Sequence, residues 1–135
     1  MALNNAALVV APTSIAPTGG TALTFASNGI QGPGEITLVV PADLDLRTRR
    51  SIDIKVKPAK TSVGAPNGYT QARVSMLYKK PKILANTKIT VNTVKVEFAF
   101  DVETTQVEIQ ELLDVAAQLC FDADFVPTVK QLSLT

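Results

Sequence analysis

Apolar and polar residues alternate with a period of two in three stretches of the chain. Ile52, Ile54 and Val56 alternate with Ser51, Asp53, Lys55 and Lys57; Val74, Met76 and Tyr78 alternate with Arg73, Ser75, Leu77 and Lys79. Val94, Val96, Phe98 and Phe100 alternate with Thr93, Lys95, Glu97 and Ala99. Each pattern predicts a strand buried on one face only. The connecting segments hold Gly64, Pro66, Asn67 and Gly68, then Pro81, Asn86 and Lys88. Short polar connections between consecutive strands predict an antiparallel meander.

Upstream, residues 7–11 form a short apolar run closed by Pro12, and residues 21–25 are rich in β-formers. Together they predict an N-terminal hairpin over residues 7–27 with a long loop. Asn28-Gly29 and Gly32-Pro33-Gly34 then punctuate the chain before a strand from Glu35 to Val40, the start of a sheet region over 35–101.

From residue 104 the period changes. Thr105 and Glu108 have the spacing of a capping box. Behind them Ile109, Leu112, Leu113, Ala116, Leu119 and Cys120 recur every three or four residues. This predicts an amphipathic helix to about Phe121, broken by Asp122-Ala123-Asp124, with a second short segment from Phe125 to Leu132. Residues 104–132 are therefore the helical part of a single α+β domain spanning 1–135, in which a β-hairpin and an antiparallel sheet precede a C-terminal helix.

A sheet with one apolar face must bury it against something. A helix of this length is roughly 25 Å long and cannot cover five or six strands. The shortfall predicts a two-fold dimer, with sheets joined edge to edge and helices packed across both subunits. The opposite face carries Lys55, Lys57, Arg73, Lys79 and Lys95 against Asp53 and Glu97, five cations to two anions. Such a patch suits a polyanion. Lysines on an exposed sheet face also serve plain solubility and edge protection.

Composition narrows the chemistry. The formal charge is +1, so only local clustering points to nucleic acid. The chain has no histidine and one cysteine. That excludes histidine-based triads, histidine-containing zinc sites and an internal disulfide framework. Cys120 reads as a buried small hydrophobe on the apolar side of the helix. Asp122 and Asp124 have the ligand type for calcium, yet an acidic pair ending a helix is usually just solvated. Glu108, Glu111 and Asp114 share a helix without converging as a carboxylate pair. No nucleophile elbow, phosphate-binding glycine loop or metal cluster is present, so no enzyme, cofactor, metal or small-molecule substrate is expected. The first residues lack a basic region ahead of an apolar one, and no apolar run is long enough to span a bilayer. The expected setting is the cytosol, away from membranes.

The order of elements, with Arg50 to Lys57, Ala72 to Pro81, Val94 to Phe98 and Glu111 to Leu119, resembles the coat proteins of single-stranded RNA bacteriophages. The resemblance covers roughly residues 7–132. It implies an interlocked dimer, a virion shell of icosahedral symmetry assembled in the bacterial host cytoplasm, and genomic RNA bound on the inner sheet face. It also implies a translational operator hairpin, through which such proteins repress replicase synthesis. By similarity the RNA-facing positions are Asp53, Lys55, Lys57, Arg73, Ser75, Leu77, Lys79, Thr93, Lys95 and Glu97. The stretch from Lys82 to Lys88 resembles the loop that gathers at symmetry axes. In the family pattern, small hydroxyl residues on the first of these strands form an adenine pocket, and an aromatic on the third stacks on a base. Here Asp53 and Lys55, then Thr93 and Lys95, stand in those places, so the usual hairpin is expected to bind poorly. A cellular single-stranded nucleic-acid module forming only a small oligomer is the alternative. The lack of exposed stacking aromatics on the basic face counts against it.

Overall fold

The computed structural model describes residue 8 and residues 22–132. The described residues fall into two compact units, one within residues 20–102 and the other holding residues 103–132. The first unit holds one antiparallel sheet in sequential order: β1 (Ala26–Gly32), β2 (Glu35–Val39), β3 (Ser51–Lys57), β4 (Ala72–Ile83) and β5 (Ile89–Phe100). This is the meander that the alternation predicts. Ile36, Ile54, Met76 and Val96 form one row across four strands. With their strand-mates two residues away they make one face apolar. Val40 is the one fully buried residue among those described, at 1% exposure. Phe25 and Tyr78 pack edge to face with ring centroids 6.5 Å apart.

Three boundaries differ from expectation. The first arm of the hairpin, residues 7–11, lies outside the described residues apart from Leu8, and residues 22–25 carry no strand. β1 instead runs through Asn28-Gly29, where the pairing with β2 slips between Ser27 and Gln31 and Gly29 takes φ +84°. A bulge absorbs a turn signal inside a strand. β4 also continues through Pro81, which pairs with Val91. β3 pairs only as far as Lys79, so beyond it β4 has an open edge, where proline is tolerated. The connection is thereby reduced to residues 84–88. There Leu84 and Lys88 close the turn (N–H to O 2.8 Å) and Thr87 sits at φ +67°.

Between β1 and β2, Pro33 fixes the first turn position and Gly34 takes φ +72°. A Cβ on Gly34 would lie 2.5 Å from the Val56 carbonyl oxygen, because Gly34 O accepts the Val56 N–H at 2.8 Å.

In the other unit, α1 (Gln106–Phe121) starts at Thr105, whose Oγ1 accepts the Glu108 N–H at 3.3 Å. It ends at Asp122, whose backbone N–H reaches Gln118 O. The short segment that follows is α2 (Val126–Lys130), with Pro127 in its first turn. No described residue of either helix is buried. Ile109 and Ala116 are half-buried, while Leu112, Leu113 and Leu119 are exposed. Cys120 is exposed too, which corrects the expectation of a buried thiol. The apolar positions that the periodicity picks out on α1 thus include Leu112, Leu113 and Leu119, each at least 40% exposed. Among the described residues, no helix is long and apolar enough to cross a membrane.

Candidate nucleic-acid interface

The strand register decides which side chains share a face. Lys57 pairs with Arg73, Lys55 with Ser75, Asp53 with Leu77, and Ser51 with Lys79. On the other side of β4, Ser75 pairs with Glu97, Leu77 with Lys95, and Lys79 with Thr93. All ten positions proposed from the sequence therefore lie on one face, opposite the apolar row. Leu77 is half-buried between Asp53 and Lys95; nothing in the structure explains an apolar side chain there.

The register adds two polar residues of β2 that the sequence reading omits. Glu35 pairs with Lys55 and Thr37 with Asp53, so both belong to the same face. The clue was already in β2, where Glu35 and Thr37 alternate with Ile36 and Leu38. The face therefore holds three anions to five cations, and the anions are engaged. Lys79 Nζ lies 2.6 Å from Asp53 Oδ2, Arg73 Nη1 3.1 Å from Glu97 Oε1, and Lys55 Nζ 3.9 Å from Glu35 Oε1. Asp53 also accepts the Thr37 hydroxyl at 3.0 Å. The Lys79 ammonium, with the Thr37 hydroxyl, holds the Asp53 carboxyl below its usual range. Lys57 and Lys95 make no ion pair among the described residues.

Ser75 is short and its neighbours are long. The result is a depression of about 190 Å³ lined by Lys55, Lys57, Arg73, Ser75, Lys95 and Glu97. Four cations and one anion ring a hydroxyl, an arrangement suited to a phosphate group. Among the described residues the face presents no aromatic ring for base stacking.

Two features at larger scale escaped the sequence reading. The near-neutral total hides a division of charge. Residues 20–102 hold twelve Lys and Arg against six Asp and Glu, net +6, while residues 103–135 hold one against six, net −5. Summing charge by segment rather than over the chain would have found this. The β4–β5 hairpin also inverts its polarity beyond Lys79 and Thr93. Pro81, Ile83, Ile89 and Val91 lie on the cationic face, and Lys80, Lys82, Thr90 and Asn92 on the other. Ile83, Ile89 and Val91 are 42–49% exposed.

At the end of α1, Asp122 Oδ1 accepts the Asp124 N–H at 2.8 Å. Among the described residues, no three His, Cys, Asp or Glu side chains gather as a metal-binding set.

No protein-family model matches the sequence, and no curated protein matches it. Solved structures do. A virus-like particle of bacteriophage GQ-907 aligns over 99% of this chain and 100% of its own, with TM-score 0.89 and 23% identity. A virus-like particle of bacteriophage AVE019 aligns over 82% of this chain and 86% of its own, with TM-score 0.65 and 14% identity. At such identities the likeness is one of fold. The chain has the fold of bacteriophage virus-like-particle subunits, as its resemblance to the RNA-phage coat proteins implies.

Proposed function

We propose that this chain is a viral shell protein that dimerises, assembles into an icosahedral capsid and packages single-stranded RNA against the cationic face of its sheet. The observation that carries the reading is the apolar surface left open by a single chain. Val56, Val94, Leu112, Leu113 and Leu119 are 40–55% exposed, and only Val40 is fully buried among the described residues. Burying apolar surface contributes about 25 cal/mol per Å², so a second copy laid on these residues is a large stabilising term. In the dimer, α1 of one chain packs across to its partner, and the division of charge between segments favours that crossing.

The RNA is held through phosphates. Five cations and no aromatic ring favour backbone contact over base readout. The chain therefore packages genomic RNA with weak selectivity, and the operator hairpin of the RNA phages, with the replicase repression that depends on it, is a poor ligand. The inverted tip of the β4–β5 hairpin, around residues 82–88, meets its counterparts where subunits gather around symmetry axes. The product is a virion component formed in the bacterial cytoplasm, and no catalytic role is assigned.

Electron microscopy of the chain overexpressed in bacteria, with ultraviolet absorbance of the same fraction, tests this. Uniform round particles with nucleic-acid absorbance are expected. A small RNA-free oligomer that never assembles would instead support a cellular binding module built on the same fold.

A further inference from the structure

We infer that the depression over Ser75 holds one RNA phosphodiester, and that Glu97 limits how tightly by occupying Arg73. This rests on the reading of the cationic face as an RNA surface and adds how that surface is tuned. Ser75 sits at the centre of a cross-strand row, with Lys55 on one side and Glu97 on the other. Lys57 and Lys95 stand at its diagonals, and cross-strand diagonals are about 7–8 Å apart. Both ammonium groups are without an ion pair among the described residues. They are the ready contacts for a phosphate entering the depression.

Arg73 is different. Its guanidinium is the best phosphate ligand on the face, because its planar fork can take two oxygens at once. It is already engaged by Glu97 at 3.1 Å, with both side chains substantially exposed. An exposed pair of this kind is weak, so a phosphate can displace it. The Glu97 carboxylate then remains beside the phosphate and opposes it. Glu97 acts as a resident competitor. It keeps each contact weak and reversible, and a shell of many copies sums such contacts into firm retention.

The test uses the full chain freed of nucleic acid, with fluorescence anisotropy of a labelled oligouridylate titrated against salt. Lys57→Gln and Lys95→Gln should each weaken binding and reduce the salt slope by about 0.7, one single-strand contact. Glu97→Gln keeps the side-chain shape and should bind several-fold tighter, with a steeper slope as Arg73 joins. Circular dichroism and the unfolding midpoint establish that each variant is folded, and Glu97→Ala provides a second removal of the carboxylate. Weaker binding in the lysine variants with no gain in either Glu97 variant would overturn the competitor role alone. Lysine variants that bind like the parent, or a parent that binds no oligouridylate, would overturn the RNA reading of the face along with it.

Discussion

Asp43 and Arg50 are joined by a two-pronged ion pair across the β2–β3 connection. Arg50 Nε lies 2.9 Å from Asp43 Oδ2, Nη2 lies 2.9 Å from Oδ1, and the Arg50 backbone N–H donates to Oδ2 at 3.0 Å. Arg49 Nε closes on the Asp43 carbonyl oxygen at 2.9 Å. These bonds tie down a loop that also holds two backbone turns, Asp43 to Val40 and Thr48 to Asp45, the closing Val40 N–H to Arg50 carbonyl bond, and an Arg47–Asp45 ion pair.

The Arg50 side chain, then its backbone N–H, lowers the Asp43 carboxyl from 3.8 to about 2. A carboxyl depressed in the folded state adds stability that is complete above 3.8 and is lost as pH falls through about 2. Amide hydrogen exchange at Arg50 should therefore stay protected as the pH is lowered to the ordinary carboxylate range. Asp43→Asn should speed that exchange wherever the parent carboxyl is ionised, with the difference closing as pH falls through about 2, and equal protection in parent and variant near neutral pH would reject the lock.

Thr105 caps α1 through its hydroxyl. Thr105→Ala should cost about 1 kcal/mol in urea unfolding, the usual value of a lost N-cap, while Thr105→Ser should cost little. Equal losses in the two variants would mean that the hydroxyl is not what matters.

Gly34 and Gly29 both have positive φ, at +72° and +84°, but only Gly34 lacks room for a Cβ. Gly29→Ala should cost about 1–2 kcal/mol for the left-handed backbone alone. Gly34→Ala should cost more, since the Val56 carbonyl must also move and the β1–β2 turn with it. Thermal unfolding of the two variants side by side checks the order; the reverse order would show that the close approach relaxes freely.

Val94 is 55% exposed in the single chain and lies on the apolar face opposite Tyr78. If solvent met it in the assembled protein, Val94→Asp would shift stability by no more than about 0.5 kcal/mol. The dimer reading expects particle yield to collapse instead, with sedimentation showing smaller species. Normal particles from this variant would place the dimer contact elsewhere.

Much of the fold was legible because a period of two is a local property. The alternation in residues 51–57, 73–79 and 93–100 sorted the side chains onto the two faces that the register gives, and Thr105 with Glu108 marked the helix start. The misreadings came where a local signal was overruled by neighbours. Asn28-Gly29 looked like a turn but is taken up as a bulge against β2, and Pro81 looked like a strand end but sits on an open edge. Cys120 followed the helical stripe correctly, yet its burial depends on what covers the stripe.

By itself the sequence determined the meander, the capped helix, the polarity of each face and the absence of histidine chemistry, because all of these depend on residues near one another along the chain. Only the tertiary structure decided which charges meet. Glu35 joins Lys55, Asp53 joins Lys79 and Glu97 joins Arg73 across strands distant in sequence. That pairing is set by strand register, a long-range property, and a shift of one residue would send each side chain to the other face. It also decided that Ser75 would be the floor of a cationic depression rather than one more small residue on a strand, because depth there comes from the longer side chains on the two neighbouring strands.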